Sequence, residues 1–166
     1  MTENILVSPG DKASALPRPR AFDTILYGGL AVGVLDGLAA VISSYVLRGT
    51  SPIRIFQFIA SGLLGPEAFR GGWATTLLGV LLHFLIAFIV TTIYYGASIR
   101  FPTLIRRAVI CGMSYGVMVY FVMSYVVLPL SAVRQGAFSL RGLLTGVLVH
   151  AFCVGLPIAL IARRSS

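Results

Sequence analysis

Three side chains in this sequence could do chemistry where such groups are costly to place. His83 closes the run LLGVLLHF, from Leu77 to Phe84, and His150 sits in LTGVLVHAF, from Leu144 to Phe152. Each histidine stands four residues behind a glycine, Gly79 and Gly146, in otherwise apolar sequence. Asp36 interrupts a third apolar run, and Cys153 follows His150 by three positions, on nearly the same helix face. Two imidazoles at matched depth are what axial ligation of a haem b requires, which points to an electron-transfer subunit. A carboxylate beside imidazoles suits a proton relay or a divalent metal site, with Cys153 as a weaker soft ligand. The plainer alternative is structural: the same groups hydrogen-bond across helices and hold their register, each bond being worth about 1 kcal/mol.

The elements that must carry these groups are membrane spans. The chain has 166 residues, of which 57% are hydrophobic and only 11% charged, and its mean hydropathy is +0.93. Soluble domains carry about 45–50% apolar and about 25% charged residues, so the composition is that of an integral membrane protein. About 20 apolar helical residues cross a bilayer, and four runs qualify, at about 24–47, 73–97, 108–130 and 140–162. Both histidines then lie about 15 Å below the start of their spans, and Asp36 about 18 Å into the first, so all three reach the midplane. An ionised carboxylate there costs at least about 2.5–3.5 kcal/mol on insertion scales. Asp36 is therefore expected to be protonated, paired or hydrated.

The net charge of +8 does not imply nucleic acid, because the basic residues cluster at span ends, where they set topology. Lys12, Arg18, Arg20, Arg100, Arg106, Arg107, Arg163 and Arg164 fall on one side, against Arg48, Arg54, Arg70, Arg134 and Arg141 on the other. This bias puts both termini in the cytoplasm. The first span lacks a small-residue cleavage site and is expected to remain as an anchor. Residues 1–23 read as a flexible cytoplasmic tail and 24–166 as the membrane domain, with no separate soluble catalytic domain. Enzyme activity is the least supported class. Cys111 and Cys153 lie at different depths, which disfavours a disulfide.

Between the first two spans, SPIRIFQFIASGLLGPEAFRGG contains a helix over about 52–64, with Ser51 as its cap, Pro52 at its first position and Gly65-Pro66 as its stop. Arg54, Gln57 and Ser61 form a polar stripe on it. Too short to span, the helix is expected to lie in the outer interface or to dip into it. On the connection that follows, Glu67 and Arg70 sit together, where they could bind a polar head group, though an exposed ion pair is the cheaper reading. Trp73, Tyr45, Tyr94 and Tyr95 fall near span ends, as interfacial aromatics do.

The short remaining connections favour an all-α, antiparallel four-helix bundle. The repeated GVL-x-H, with Ala-Phe and Arg-Gly upstream of each copy, suggests a tandem duplication of a helical hairpin about an axis along the membrane normal. Gly29, Gly33 and Gly37, Gly112 and Gly116, and Gly142 and Gly146 recur at four-residue steps, and Gly79 precedes His83 by the same step. Such glycines let helix backbones approach closely and are read here as packing sites. Ser43, Ser114, Ser124, Tyr115 and Tyr120 either extend a polar path or bond between helices.

The segments GPEAFRGGWATTLLGVLLHF and YFVMSYVVLPLSA resemble small four-span bacterial inner-membrane proteins. The resemblance implies a bacterial inner membrane and brings no activity or functional residue with it. The expected molecule is thus a multi-pass protein with a midplane site of Asp36, His83 and His150. It would serve as an accessory subunit of a larger membrane complex or as a homo-oligomer, as a haem b subunit, or as a proton or metal carrier.

Overall fold

A computed structural model describes residues 19–133 and 139–166. Their secondary structure is helical, with no strand among the described residues. Helix α1 covers Ala21–Arg48, α2 Pro52–Leu64, α3 Gly72–Arg100 and α4 Thr103–Arg106. The last two spans are α5, Ala108–Leu130, and α6, Leu140–Arg164. Four of these helices, α1, α3, α5 and α6, are long and apolar enough to cross a membrane, and the chain is an integral membrane protein.

Most of the expected tail lies outside the described residues, but its boundary moves. Helix α1 begins at Ala21, with Asp23 in its first turn ion-paired to Arg20 at 2.9 Å. A carboxylate in this position also faces the positive end of the helix dipole. The backbone N–H of Arg20 donates to the Ser165 carbonyl, and the Thr24 and Ser165 hydroxyls meet at 2.7 Å. The start of α1 and the end of α6 are therefore clasped on one side of the bundle, as four crossings require.

The spans pack as two hairpins, α1 with α3 and α5 with α6. In the first, Gly28, Gly29, Gly33 and Gly37 leave room for Thr91, Phe88, Phe84 and His83 respectively. In the second, backbone meets backbone: a Cβ on Gly116 would strike the His150 carbonyl oxygen, and one on Gly155 the Gly112 carbonyl oxygen. Such approach gains dispersion contact where lipid removes any hydrophobic drive between helices. Val32, Val90, Val119, Val154 and Ile158 fill the buried seam between the hairpins.

Both later spans contain a π-helical segment, Met123–Val127 in α5 and His150–Gly155 in α6. Each is followed within two residues by a proline, Pro129 or Pro157. Proline offers no N–H and its ring crowds the carbonyl four residues back, and a wider turn relieves that conflict. The Leu128 N–H accordingly reaches the Met123 carbonyl and the Leu156 N–H the Ala151 carbonyl, each five residues back.

Helix α2 runs over the span expected for it, and two residues of its polar stripe face the protein. Gln57 and Ser61 are buried, while Arg54, the third residue of the stripe, is exposed. Gln57 Nε2 donates to the Gly72 carbonyl at 3.2 Å. The helix crosses α3 where Gly79 receives the Phe56 backbone, seven residues or about 10 Å along α3 from Gly72. Ser51 makes no side-chain cap bond; Pro52 at the first position and the Ser51 carbonyl, which accepts from Ile55 N–H, start the helix instead. Glycines with positive φ stand before α2, at its end and at the start of α3: Gly49 at 65°, Gly65 at 60° and Gly72 at 57°. These are backbone angles that a side chain would strain.

Two aromatic expectations divide. Trp73 and Tyr45 are exposed, as belt residues are, but Tyr94 is 1% exposed. Its hydroxyl donates to the Leu104 carbonyl, and its ring packs edge-on against Tyr115. The short α4 folds back under the bundle and covers it.

Candidate functional site

The helices converge on one cavity of about 370 Å³. Asp36 reaches it from α1, His83 from α3 and His150 from α6, so the three residues share one space. Phe58, Ile59, Gly62 and Leu63 of α2 form one wall. Tyr120 and Ser124 of α5 add hydroxyls, and Ser131 follows just beyond that helix. The rest of the lining is aliphatic, including Val32, Ile86, Val119 and Val154.

The two histidines are held differently. His83 is 9% exposed, and its Nε2–H donates to the Gly33 carbonyl of α1 at 2.9 Å. Phe56 and Phe84 meet its ring edge-on, with centroids 6.2 and 5.8 Å away. His150 donates Nδ1–H to the Gly146 carbonyl, one turn back, also at 2.9 Å, and Tyr120 packs edge-on against it at 5.4 Å. In the neutral ring this leaves Nε2 of His150 as an acceptor. His150 also opens the π segment of α6, a local geometry that recurs at functional sites. Asp36 makes no hydrogen bond or ion pair among the described residues.

No family model, no curated protein and no solved structure matches this chain. The site must therefore be judged on its own geometry.

A haem clamped by both histidines finds no support in that geometry. The Nε2 of His83 is spent on Gly33, and the ring is enclosed by Phe56, Phe84 and Gly37, whose added Cβ would lie 3.2 Å from Nε2. Nor do three or more of His, Cys, Asp and Glu gather closely enough to hold a metal ion among the described residues. Cys111 and Cys153 are both free thiols. The chemistry the arrangement does offer is a largely apolar cavity with a few polar groups and one acid in its lining.

The glycines near the histidines do not play matching parts. Gly79 accommodates the Phe56 backbone of α2, whereas Gly146 accommodates the Tyr120 ring of α5. Gly142 is exposed in the first turn of α6, and its N–H is capped by Ser139 Oγ at 3.3 Å. Gly155, absent from the sequence reading, makes one of the closest backbone contacts in the bundle. Its signal was available in Gly155 lying nine residues beyond Gly146 on a helix widened before Pro157, but an ordinary helical period puts it on another face.

Of the other polar candidates, Tyr115 bonds between helices, donating to the Val90 carbonyl at 2.6 Å, and Ser43 bonds within its own helix. Tyr120 and Ser124 line the cavity. Glu67 and Arg70 form the expected exposed pair at 3.3 Å.

Proposed function

We propose that this membrane protein binds a small, largely apolar molecule inside its bundle, with Asp36 and His150 meeting the polar end of that molecule. One observation carries the reading: a cavity of about 370 Å³ with largely aliphatic walls is lined by Asp36, His83 and His150. Ligand sites are commonly concave, mostly apolar spaces of about 300–1,000 Å³ with a few placed polar groups. In this reading His83 positions α3 against α1, and α2 closes the outer wall. The Lys and Arg bias supports both ends in the cytoplasm, and the resemblance to four-span bacterial inner-membrane proteins supports that membrane.

The test is native mass spectrometry of protein extracted gently from its membrane, beside a Ser124→Phe variant that fills the cavity. A small-molecule adduct on the wild type that Ser124→Phe lacks is the expected result. Adducts identical in both proteins would be lipids on the outer surface and would overturn the proposal.

A proton relay is the second reading, favoured by the absence of any partner for Asp36 among the described residues and by the acceptor nitrogen of His150. Proteoliposomes carrying an internal pH dye should then acidify under an imposed gradient with wild type and not with Asp36→Asn. Equal rates in both would end that reading.

A further inference from the structure

We propose that the molecule taken by the cavity is a lipophilic amine, held by its protonated nitrogen at Asp36. The inference rests on the cavity reading and adds the chemical class. It comes from sorting the lining groups into donors and acceptors. The Nε2–H of His83 is turned to the Gly33 carbonyl, the Nδ1–H of His150 to the Gly146 carbonyl and the Ser131 hydroxyl to the Leu128 carbonyl at 2.8 Å. The donors are spent on backbone oxygen. What remains is acceptor capacity, in the carboxylate of Asp36 and the Nε2 of His150, with the Tyr120 and Ser124 hydroxyls able to serve either way.

Charge points the same way. Among the described residues no lysine or arginine lines the cavity; α1 brings an acid, α2 only Phe58, Ile59, Gly62 and Leu63, α3 and α6 one histidine each, and α5 hydroxyls and aliphatics. An acid without a cation at this depth either takes a proton or awaits a positive partner. An ammonium group supplies both things missing, a positive charge and three donors with no acceptor. An alcohol supplies a donor without the charge, and a carboxylate opposes Asp36 outright. The aliphatic walls take the apolar body.

The experiment uses the purified full chain in nanodiscs, with 4-phenylbutylamine, 4-phenylbutanol and 4-phenylbutyrate at neutral pH as probes of one shape and three heads. Binding is followed by saturation-transfer NMR, with thermal melting as the folding control. The amine is expected to bind at least about tenfold more tightly than the alcohol, and the butyrate not to bind. Asp36→Asn should abolish the amine's advantage over the alcohol. Equal binding of amine and alcohol to the wild type, blocked by Ser124→Phe, would overturn the amine and keep the cavity. An amine preference that survives Asp36→Asn would overturn Asp36 as its holder. Probe binding untouched by a folded Ser124→Phe would place it at the lipid surface and sink both readings.

Discussion

The imidazole of His83 and the carbonyl of Gly33 tie α3 to α1 across fifty residues of sequence, at 2.9 Å. The bond is possible because Gly33 and Gly37 carry no side chain between the helix backbone and the ring. A residue that from its type and depth is a candidate ligand is thereby engaged in holding two spans in register.

His83→Ala should therefore lower stability through both a lost interhelical bond and a new void, by about 1–3 kcal/mol in total. His83→Gln, which keeps a donor, should lose less. Steric-trap unfolding in bicelles measures both. Equal loss in the two variants would mean that packing, and not the bond to Gly33, is what His83 supplies.

The close crossing of α5 and α6 makes a sharper contrast. Gly116→Ala would drive a methyl into the His150 carbonyl oxygen, a backbone atom that cannot step aside, and should cost about 1–3 kcal/mol. Gly142→Ala, exposed in the first turn of α6, should be neutral or stabilising by up to about 1 kcal/mol. The same unfolding assay ranks them, and a costly Gly142→Ala would contradict its placement.

Tyr115 joins the two hairpins through its hydroxyl, 2.6 Å from the Val90 carbonyl. Tyr115→Phe removes the bond and leaves the ring against Tyr94. A loss of about 0.5–1.5 kcal/mol is expected. Tyr115→Ala should lose clearly more, since the ring contact goes as well; if it matches Tyr115→Phe, the ring contributes nothing to packing.

Topology follows from the clasp between Thr24 and Ser165. In a background without Cys111 and Cys153, Glu67→Cys and Ser166→Cys should react with an impermeant maleimide from opposite faces of sealed vesicles, and Thr103→Cys from the same face as Ser166→Cys. Labelling of all three from one face would break the four-crossing arrangement.

The spans and the short helix after the first of them were legible in the sequence. Hydropathy and helical rise depend on the chain's own composition and spacing. The partners were not. Equal spacing behind glycine makes His83 and His150 look alike, yet one ring bonds to a neighbouring helix and the other to its own. Tyr94 looked like a belt residue because it stands near a span end, and it is buried because α4 folds beneath it.

Composition and periodicity by themselves determined that this chain has four helices long and apolar enough to cross a membrane, because that follows from each helix taken alone. Tertiary structure alone decided that Asp36, His83 and His150 line a single cavity, that α2 turns Gln57 and Ser61 inward, and that π turns precede Pro129 and Pro157. A helix's sequence sets the faces it has and how deep each residue lies. Which face meets which neighbour is settled by packing, where a missing Cβ at Gly33 or Gly116 admits one partner and excludes another.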